Sequence, residues 1–291
     1  MANLRSIRKR IASVKNTRQI TKAMKLVSGA KLKRATDAVV AARPYNRKLK
    51  GILDNLLAHM EGVSHPLFQA HEHVKTVRIL MFGSDRGLCG SFNSSLQRKL
   101  DSLVRQLTDE GAAVEVVAVG RKPRDHARRM RYNIVREIDG VTPAQYQTLA
   151  RELVVSSVKE FEAGTIDQVI LLFNQFISAM TQVVTLESLL PLAAPKTSAE
   201  AEAVTSLVDF IYEPSQESIL DALLPQMMTA RVLQAFLEST ASEHGARMAA
   251  MDSATRNASE MIGKLTLEYN RARQAAITKE LVEIVSGAEA L

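Results

Sequence analysis

The chain has 291 residues, of which 46% are hydrophobic and only 4% aromatic, and tryptophan is absent. This composition is typical of a soluble folded protein whose helices pack through Ala, Met, Leu and Ile. The formal net charge is +7, and the single cysteine excludes an intrachain disulfide. No apolar run approaches the roughly 18 residues that a membrane-spanning helix requires. The N-terminus also lacks the apolar stretch of a secretory signal.

The positive charge is concentrated in residues 1–60. That segment has fifteen Lys or Arg against Asp37 and Asp54, a net charge of +13, which leaves −6 on the rest of a chain whose total is +7. Such an uneven distribution implies an acidic partner, which could be nucleic acid, anionic lipid or an acidic protein surface. A merely solvated helix face is the alternative, but such a face usually mixes both signs of charge.

The same residues 1–60 predict a long N-terminal helix, because their apolar side chains recur at steps of three and four, as in a coiled-coil stripe. The predicted stripe consists of Leu4, Ile7, Ile11, Val14, Ile20, Met24 and Val27, with a break around Arg18. A wider stripe follows over residues 45–60. Pro44 lies between the two stripes and predicts either one bent helix or two helices in line.

From Val74 the pattern changes to short apolar runs that alternate with helical segments. Strands are predicted at 77–82, 114–119, 134–138, 168–173 and 181–186, and helices at 94–107 and 143–162. Because strands that alternate with helices favour a parallel sheet, we interpret residues 74–212 as a small α/β domain of mainly parallel sheet. Residues 193–203 are predicted to be an exposed loop.

A second long helix is predicted over residues 214–287, where Ser215 can cap the first turn. Its predicted stripe is Leu233, Leu237, Thr240, His244, Met248, Met251, Ala254, Ala258, Met261, Leu265, Tyr269, Ala272 and Ala276. Small side chains let a second helix approach closely, and Met adapts to uneven contacts. The predicted fold is therefore of mixed α+β and α/β class: a long antiparallel coiled coil of the two terminal helices with the α/β domain inserted between them.

Residues suited to catalysis are scarce. The loop GSDRGLCG at residues 83–90 follows a strand and precedes a helix, but it lacks the Lys-Ser/Thr ending of a P-loop and does not match G-x-G-x-x-G. We interpret it as a tight turn in which Asp85, Arg86 and Cys89 could serve recognition. Nothing in the sequence places a histidine beside Cys89 to activate it as a nucleophile. One hypothesis that stays open is therefore a small α/β enzyme that uses this loop.

Three histidines, His65, His71 and His73, lie together in a predicted linker, but His-x-His is a weak metal signal without carboxylate or thiolate company. We therefore predict no metal ion and no cofactor. Residues 1–44 contain no Phe, Tyr or Trp on which bases could stack, which disfavours nucleic acid as the partner. A basic helical scaffold that binds nucleic acid nevertheless stays the alternative function.

Four motifs are spread over nearly the whole chain. They are IASVKNTRQITKAMK at 11–25, SDRGLCG at 84–90, YNRARQA at 269–275 and ITKELVEIVSGA at 277–288. In sequence and in order they resemble the gamma subunit of F-type ATP synthases of bacterial type. The resemblance implies a non-catalytic central-stalk rotor that couples proton flow through the membrane c ring to ATP synthesis or hydrolysis in the alpha-beta hexamer.

The resemblance also implies the partners and the place of work. In that family the coiled coil turns inside a ring of three alpha and three beta subunits, catalysis belongs to the beta subunits, and the α/β domain sits with the epsilon subunit on the c ring. The chain lacks the cysteine-bearing segment of the chloroplast version and a transit peptide. We therefore expect a peripheral protein on the cytoplasmic face of the bacterial inner membrane, without a transmembrane segment.

Individual partner contacts are carried over by the same resemblance. Arg273 and Gln274 match a pair that hydrogen-bonds a beta-subunit loop, and the loop with Arg86 and Cys89 matches one that lies against an acidic segment of beta. The remaining implied contacts are Met24 and Lys25 toward beta, Tyr212 and Glu213 toward the c ring, and Ile284 and Val285 in an apolar sleeve at the top of the ring. The coupling ion is left open by the sequence.

Overall fold

The computed structural model describes residues 4–58, 65–71, 73–192 and 215–289. Its helices and strands are α1 (Leu4–Ala58), β1 (Thr76–Phe82), α2 (Phe92–Asp109), β2 (Ala113–Val119), α3 (Arg121–Met130), β3 (Asn133–Ile138), α4 (Tyr146–Glu162), β4 (Gln168–Phe176), β5 (Gln182–Leu190) and α5 (Gln216–Glu289). The chain divides into two compact units. Unit 1 comprises Met1–Ala30 and Arg247–Leu291, and unit 2 comprises Lys31–Ala246.

The described strands of unit 2 form one sheet in the order β3-β2-β1-β4-β5. The first four strands are parallel, with Ile79 of β1 paired to Val116 of β2 and to Ile170 of β4, and β5 runs antiparallel to β4. The prediction of a mainly parallel sheet between two long terminal helices is therefore confirmed.

Side chains of the sheet alternate between two apolar cores of unit 2, as the two-residue period of a strand requires. Leu80, Phe82 and Leu171 face a core shared with α4 and with the parts of α1 and α5 in this unit, where Phe82 packs edge-on against Phe236 at 4.8 Å between ring centroids. Ile79 and Leu172 face a second core shared with α2 and α3. Helices therefore cover both faces of the sheet.

One polar cluster lies at the amino-terminal half of the sheet. Arg78 of β1, whose side chain is 7% exposed, donates hydrogen bonds to Glu115 of β2 and Glu160 of α4, each at 2.6 Å. The hydrogen bond from Arg78 lowers the pKa of Glu160 below its usual range, in spite of the opposing effect of burial. A buried cation is tolerated here because it hydrogen-bonds to two carboxyl groups.

Helix α3 was missed by the sequence interpretation, since its only buried residues are Pro123, His126 and Ala127, too few for an apolar stripe. It begins after Gly120, whose φ is 101°. A Cβ added at this position would lie only 2.9 Å from the Gly83 carbonyl oxygen. Only glycine fits that turn.

Neither Pro44 nor Pro225 ends the helix that contains it. Pro44 lies within α1 and Pro225 within α5, so of the two predicted arrangements the structure has one helix and not two helices in line. In the part of the chain that the structure describes, no helix combines the length and the apolar character needed to cross a membrane.

Candidate functional site

The two helices of unit 1 pack side by side in antiparallel directions. Lys25 Nζ of α1 lies 2.5 Å from Asp252 Oδ1 of α5, and Thr255 Oγ1 lies 2.8 Å from Thr21 Oγ1. Farther along α1, a Cβ added to Gly29 would lie 3.4 Å from Met248 Sδ. Since residue numbers rise along α1 as their partners on α5 fall, the predicted antiparallel pairing is present in this unit.

The seam between these helices follows a seven-residue repeat on both sides. Its least exposed positions on α1 are Leu4, Ile7, Ile11, Val14, Arg18, Thr21, Lys25 and Ser28. The positions of α5 that follow this repeat and are buried or partly buried are Met248, Met251, Thr255, Ala258, Ile262, Leu265, Tyr269, Ala272 and Ala276. The alternating steps of three and four residues keep one face of each helix toward its partner over the whole pair.

Part of the predicted stripe is wrong. Ile20 and Val27 are 60% and 57% exposed, and Met261 of α5 is 49% exposed. The seven-residue repeat places polar residues at the seam there, such as Thr21, because the geometry of two paired helices takes precedence over the hydrophobicity of a single position.

This polar stretch of the seam is tied together electrostatically. Asp252 accepts from Lys25 and, at 2.6 Å, from Arg256 one turn along α5. The hydrogen bond from Lys25 lowers the pKa of Asp252 below its usual range. Lys25, a predicted partner contact, therefore also holds the helix pair together, while its neighbour Met24 is half-buried.

Several large apolar side chains of α1 lie outside the seam and are exposed on the surface of unit 1. They are Ile20, Val27 and Leu26, the last of which is 66% exposed. Exposed large apolar residues that follow one another along a helix usually mark an interaction surface. The sequence interpretation missed this surface because it assigned Ile20 and Val27 to the seam.

The end of α5 extends past the pairing. By the register above, Leu4, the first described residue of α1, lies opposite residues near Arg273. Beyond Ala276 the described side chains of α5 are exposed, including Ile284 and Val285 at 68% and 55%. The other large apolar residues there are Ile277, Leu281 and Val282. Arg273 and Gln274 are exposed as well.

The loop 83–90 of unit 2 is a turn held by side-chain hydrogen bonds. Asp85 accepts hydrogen bonds from the backbone N–H groups of Arg121 and Gly140, at 3.0 and 3.1 Å. Asn93 Nδ2 lies 3.1 Å from Cys89 Sγ, and the Cys89 side chain is 2% exposed. Arg86 is exposed at the tip of the loop. Asp85 thus has a structural role, and a buried thiol is poorly placed to attack a substrate.

A small cavity beside this loop is lined by Asp85, Asp139, Tyr146 and Glu243, among others. Its volume is about 60 Å³, whereas pockets for small-molecule ligands are usually in the range of roughly 300 to 1,000 Å³. A nucleotide therefore does not fit it. Among the described residues no group of three His, Cys, Asp or Glu is arranged to hold a metal ion.

Two of the three linker histidines, His71 and His65, contact carboxylates of unit 2. His71 Nδ1 lies 2.6 Å from Asp167 Oδ1, and the His71 ring stacks on Phe161 at 4.9 Å between centroids. His65 Nε2 lies 3.1 Å from Asp221 Oδ1. Two further predicted contact residues, Tyr212 and Glu213, lie outside the residues that the structure describes.

Comparison with known proteins gives consistent matches over the whole chain. The model of the family described as ATP synthase matches residues 3–291. An ATP synthase gamma chain of Geobacter metallireducens is 50% identical over 291 residues, which cover 100% of this chain and 99% of that protein. A second, from Geotalea uraniireducens, is 48% identical over 295 residues with the same coverage.

Solved structures give matching folds. A chain in the structure of the central stalk and c-ring of the Tetrahymena thermophila mitochondrial ATP synthase is 26% identical, covers 81% of this chain and 99% of its own length, and has a TM-score of 0.57. A chain of the Euglena gracilis mitochondrial ATP synthase, in rotational state 3, covers 99% of this chain and 94% of its own length at 17% identity, with a TM-score of 0.64. The second likeness concerns the fold alone.

Proposed function

Because this chain belongs to the family of ATP synthase gamma chains, we propose that it is the rotor subunit of the central stalk, which couples proton flow through a membrane c ring to conformational change in an alpha-beta hexamer. The observation that carries the proposal is the helix pair of unit 1. It holds itself together through one seam and leaves apolar and basic side chains on its outer surface for partners.

Such a pair can act mechanically because its two sides differ. Ile20, Leu26 and Val27 are exposed on α1, whereas the exposed residues at the end of α5 belong to a single helix past the pairing. Three identical neighbours around this asymmetric surface make different contacts with it. Each orientation therefore stabilises a different conformation of each neighbour, which is how rotation shifts their binding equilibria.

The surface of unit 1 supplies the proposed contacts with beta subunits. Lys25 and the other bases of α1 suit an acidic segment of beta, and Arg273 with Gln274 can donate hydrogen bonds to a beta loop because both side chains are exposed. Exposed Ile284 and Val285 suit an apolar sleeve, where contacts without directional bonds permit turning.

In unit 2 the proposed contact with the acidic segment is made by Arg86. Cys89 is buried, so we assign it to holding the loop in shape and not to touching the partner. The contact of Tyr212 and Glu213 with the c ring, and that of the α/β domain with epsilon, are proposed on the family relationship alone.

We assign catalysis to the beta subunits and no catalytic role to this chain. We place the protein on the cytoplasmic face of the bacterial inner membrane. The basis is that the relatives are bacterial gamma chains matched over their whole length. No observation favours the alternative of a nucleic-acid scaffold.

Co-purification tests this proposal. Tagged chain is co-expressed with alpha and beta subunits, and the purified fraction is analysed for mass and ATP hydrolysis. We expect one copy of the chain with three alpha and three beta subunits, and no hydrolysis by the chain alone. Robust turnover by the isolated chain, or its failure to join the hexamer, would contradict the proposal.

A further inference from the structure

Helix α3 carries a concentration of arginines that the rotor function does not use. Residues 121–131 contain six Lys or Arg and one acid, Asp125, a net charge of +5. The segment lies in unit 2, far along the sequence from the basic part of α1. It is therefore a second basic region, which the sequence interpretation did not recognise.

Several of these bases are already neutralised. Arg124 contacts Asp125 and Asp139, at 2.9 and 2.6 Å, and Arg128 pairs with Glu137 at 2.6 Å. In contrast, over the described ranges 4–58, 65–71, 73–192 and 215–289, neither Arg105 of α2 nor Arg131 forms an ion pair. Their charge is available to a partner.

The side chains between α2 and α3 fix this surface. Asp101 of α2 accepts hydrogen bonds from His126 Nε2 and from the Tyr132 hydroxyl, both at 2.7 Å, and Arg129 lies 2.9 Å from His126 Nδ1. Burial, with the hydrogen bond to Asp101, raises the pKa of Tyr132 to about 12, so its hydroxyl remains a donor at neutral pH. Arg105 follows Asp101 by one helical turn.

We call Arg105, Arg129 and Arg131 the arginine patch. Arg131 ends α3 at a φ of 59°, and its N–H bonds to the carbonyl groups of Ala127 and Arg128. Glycine is the residue that fits this left-handed position best. Because an arginine in this left-handed backbone conformation is less favourable than a glycine, its presence suggests that the Arg131 side chain has a functional role.

We propose that the arginine patch binds an acidic protein segment that presents carboxylates on one face of a helix. A guanidinium fork matches a carboxylate in two parallel hydrogen bonds, and a fixed scaffold reduces the entropy lost on binding. Met130, 41% exposed between Arg129 and Arg131, adds an apolar contact. This inference goes beyond the rotor function and does not depend on it.

Two other anionic partners fit less well. Single-stranded nucleic acid stacks its bases on aromatic rings, whereas the two rings described beside the patch, those of His126 and Tyr132, pack edge-on against each other and are both hydrogen-bonded to Asp101. Anionic membranes are recognised by clusters of about four to eight bases, whereas the patch has three. An acidic segment therefore suits the patch best.

The test measures binding of a labelled helical peptide with glutamates at every fourth position to the full chain by fluorescence anisotropy. The patch variant combines Arg105→Gln with Arg131→Gly, and the control variant, Arg151→Gln with Lys159→Gln, removes the same charge from α4. We expect about five- to tenfold weaker binding for the patch variant and less than about twofold for the control. The thermal midpoint of the patch variant should not fall, since glycine suits position 131.

Three results would overturn the inference. Equal losses for the patch and control variants would mean that only overall charge is sensed. Unchanged binding by a folded patch variant would remove the patch from the interaction. Tighter binding of a thymidine oligonucleotide, or of vesicles with one quarter phosphatidylglycerol, with the same sensitivity to the patch variant would assign the surface to a different class of partner.

Discussion

Replacing Ala258 by leucine should weaken the helix pair of unit 1. Ala258 is 7% exposed and lies in the seam of α5, between Thr255 and Ile262. By the register of the pairing it faces the stretch of α1 around Arg18 and Thr21. A leucine adds three carbon atoms at a contact closed to solvent, so the helices must separate or the side chain must take an unfavourable rotamer. Overpacking of this kind costs about 1 to 3 kcal/mol.

The measurement is thermal unfolding followed by circular dichroism at 222 nm, together with assembly onto the alpha-beta hexamer. Ser259→Leu is the matched control, because Ser259 is exposed on the same turn and should change stability by less than about 0.5 kcal/mol. We expect a lower midpoint and a lower yield of complex for Ala258→Leu alone. The same midpoint and yield for Ala258→Leu and the native chain would refute the seam register.

Three further predictions concern unit 2. The hydrogen bond from Arg78 holds the pKa of Glu160 below 4.5, so this carboxylate contributes stability that is present above its unfolded pKa and is lost as the pH falls. Glu160→Gln should therefore reduce the drop in thermal midpoint between pH 5 and pH 3. The same drop in the variant and the native chain would contradict this role of Glu160. The Cys89 thiol, 2% exposed, should react with Ellman's reagent at least about tenfold faster in denaturant than in the native state, and equal rates would contradict its burial. Asp85→Ala should cost about 1 to 3 kcal/mol because two backbone N–H groups lose their acceptor, whereas an unaltered denaturation midpoint would mean that the loop does not need this carboxylate.

The fold could be predicted from the sequence because its signals are local and repeated. The apolar run of β4 is continuous, as expected of a strand buried on both faces, and the runs of β1 and β2 are each interrupted by one charged residue, Arg78 and Glu115, which pair with each other. Helix α3 could not be predicted, since a short helix with three buried residues has no detectable period.

The candidate site was predictable only in part. The seam through Leu4, Ile7, Ile11 and Val14 follows from their spacing, but its continuation through Thr21 and the ion pair of Lys25 with Asp252 depends on a second helix more than 200 residues away in the sequence. No local pattern reveals such a pair. The burial of Cys89 was likewise hidden, because it arises from the packing of the loop against α2.

Rotation of the chain inside an alpha-beta hexamer is the most direct test of its proposed role. The hexamer is fixed to a surface through its beta subunits, and a bead is attached to the exposed Met180 position as cysteine, with Cys89 left buried in its native place. With ATP present we expect stepwise rotation of the bead in one direction. A bead that stays still while the same complex hydrolyses ATP at its full rate would contradict the account of this chain as a rotor.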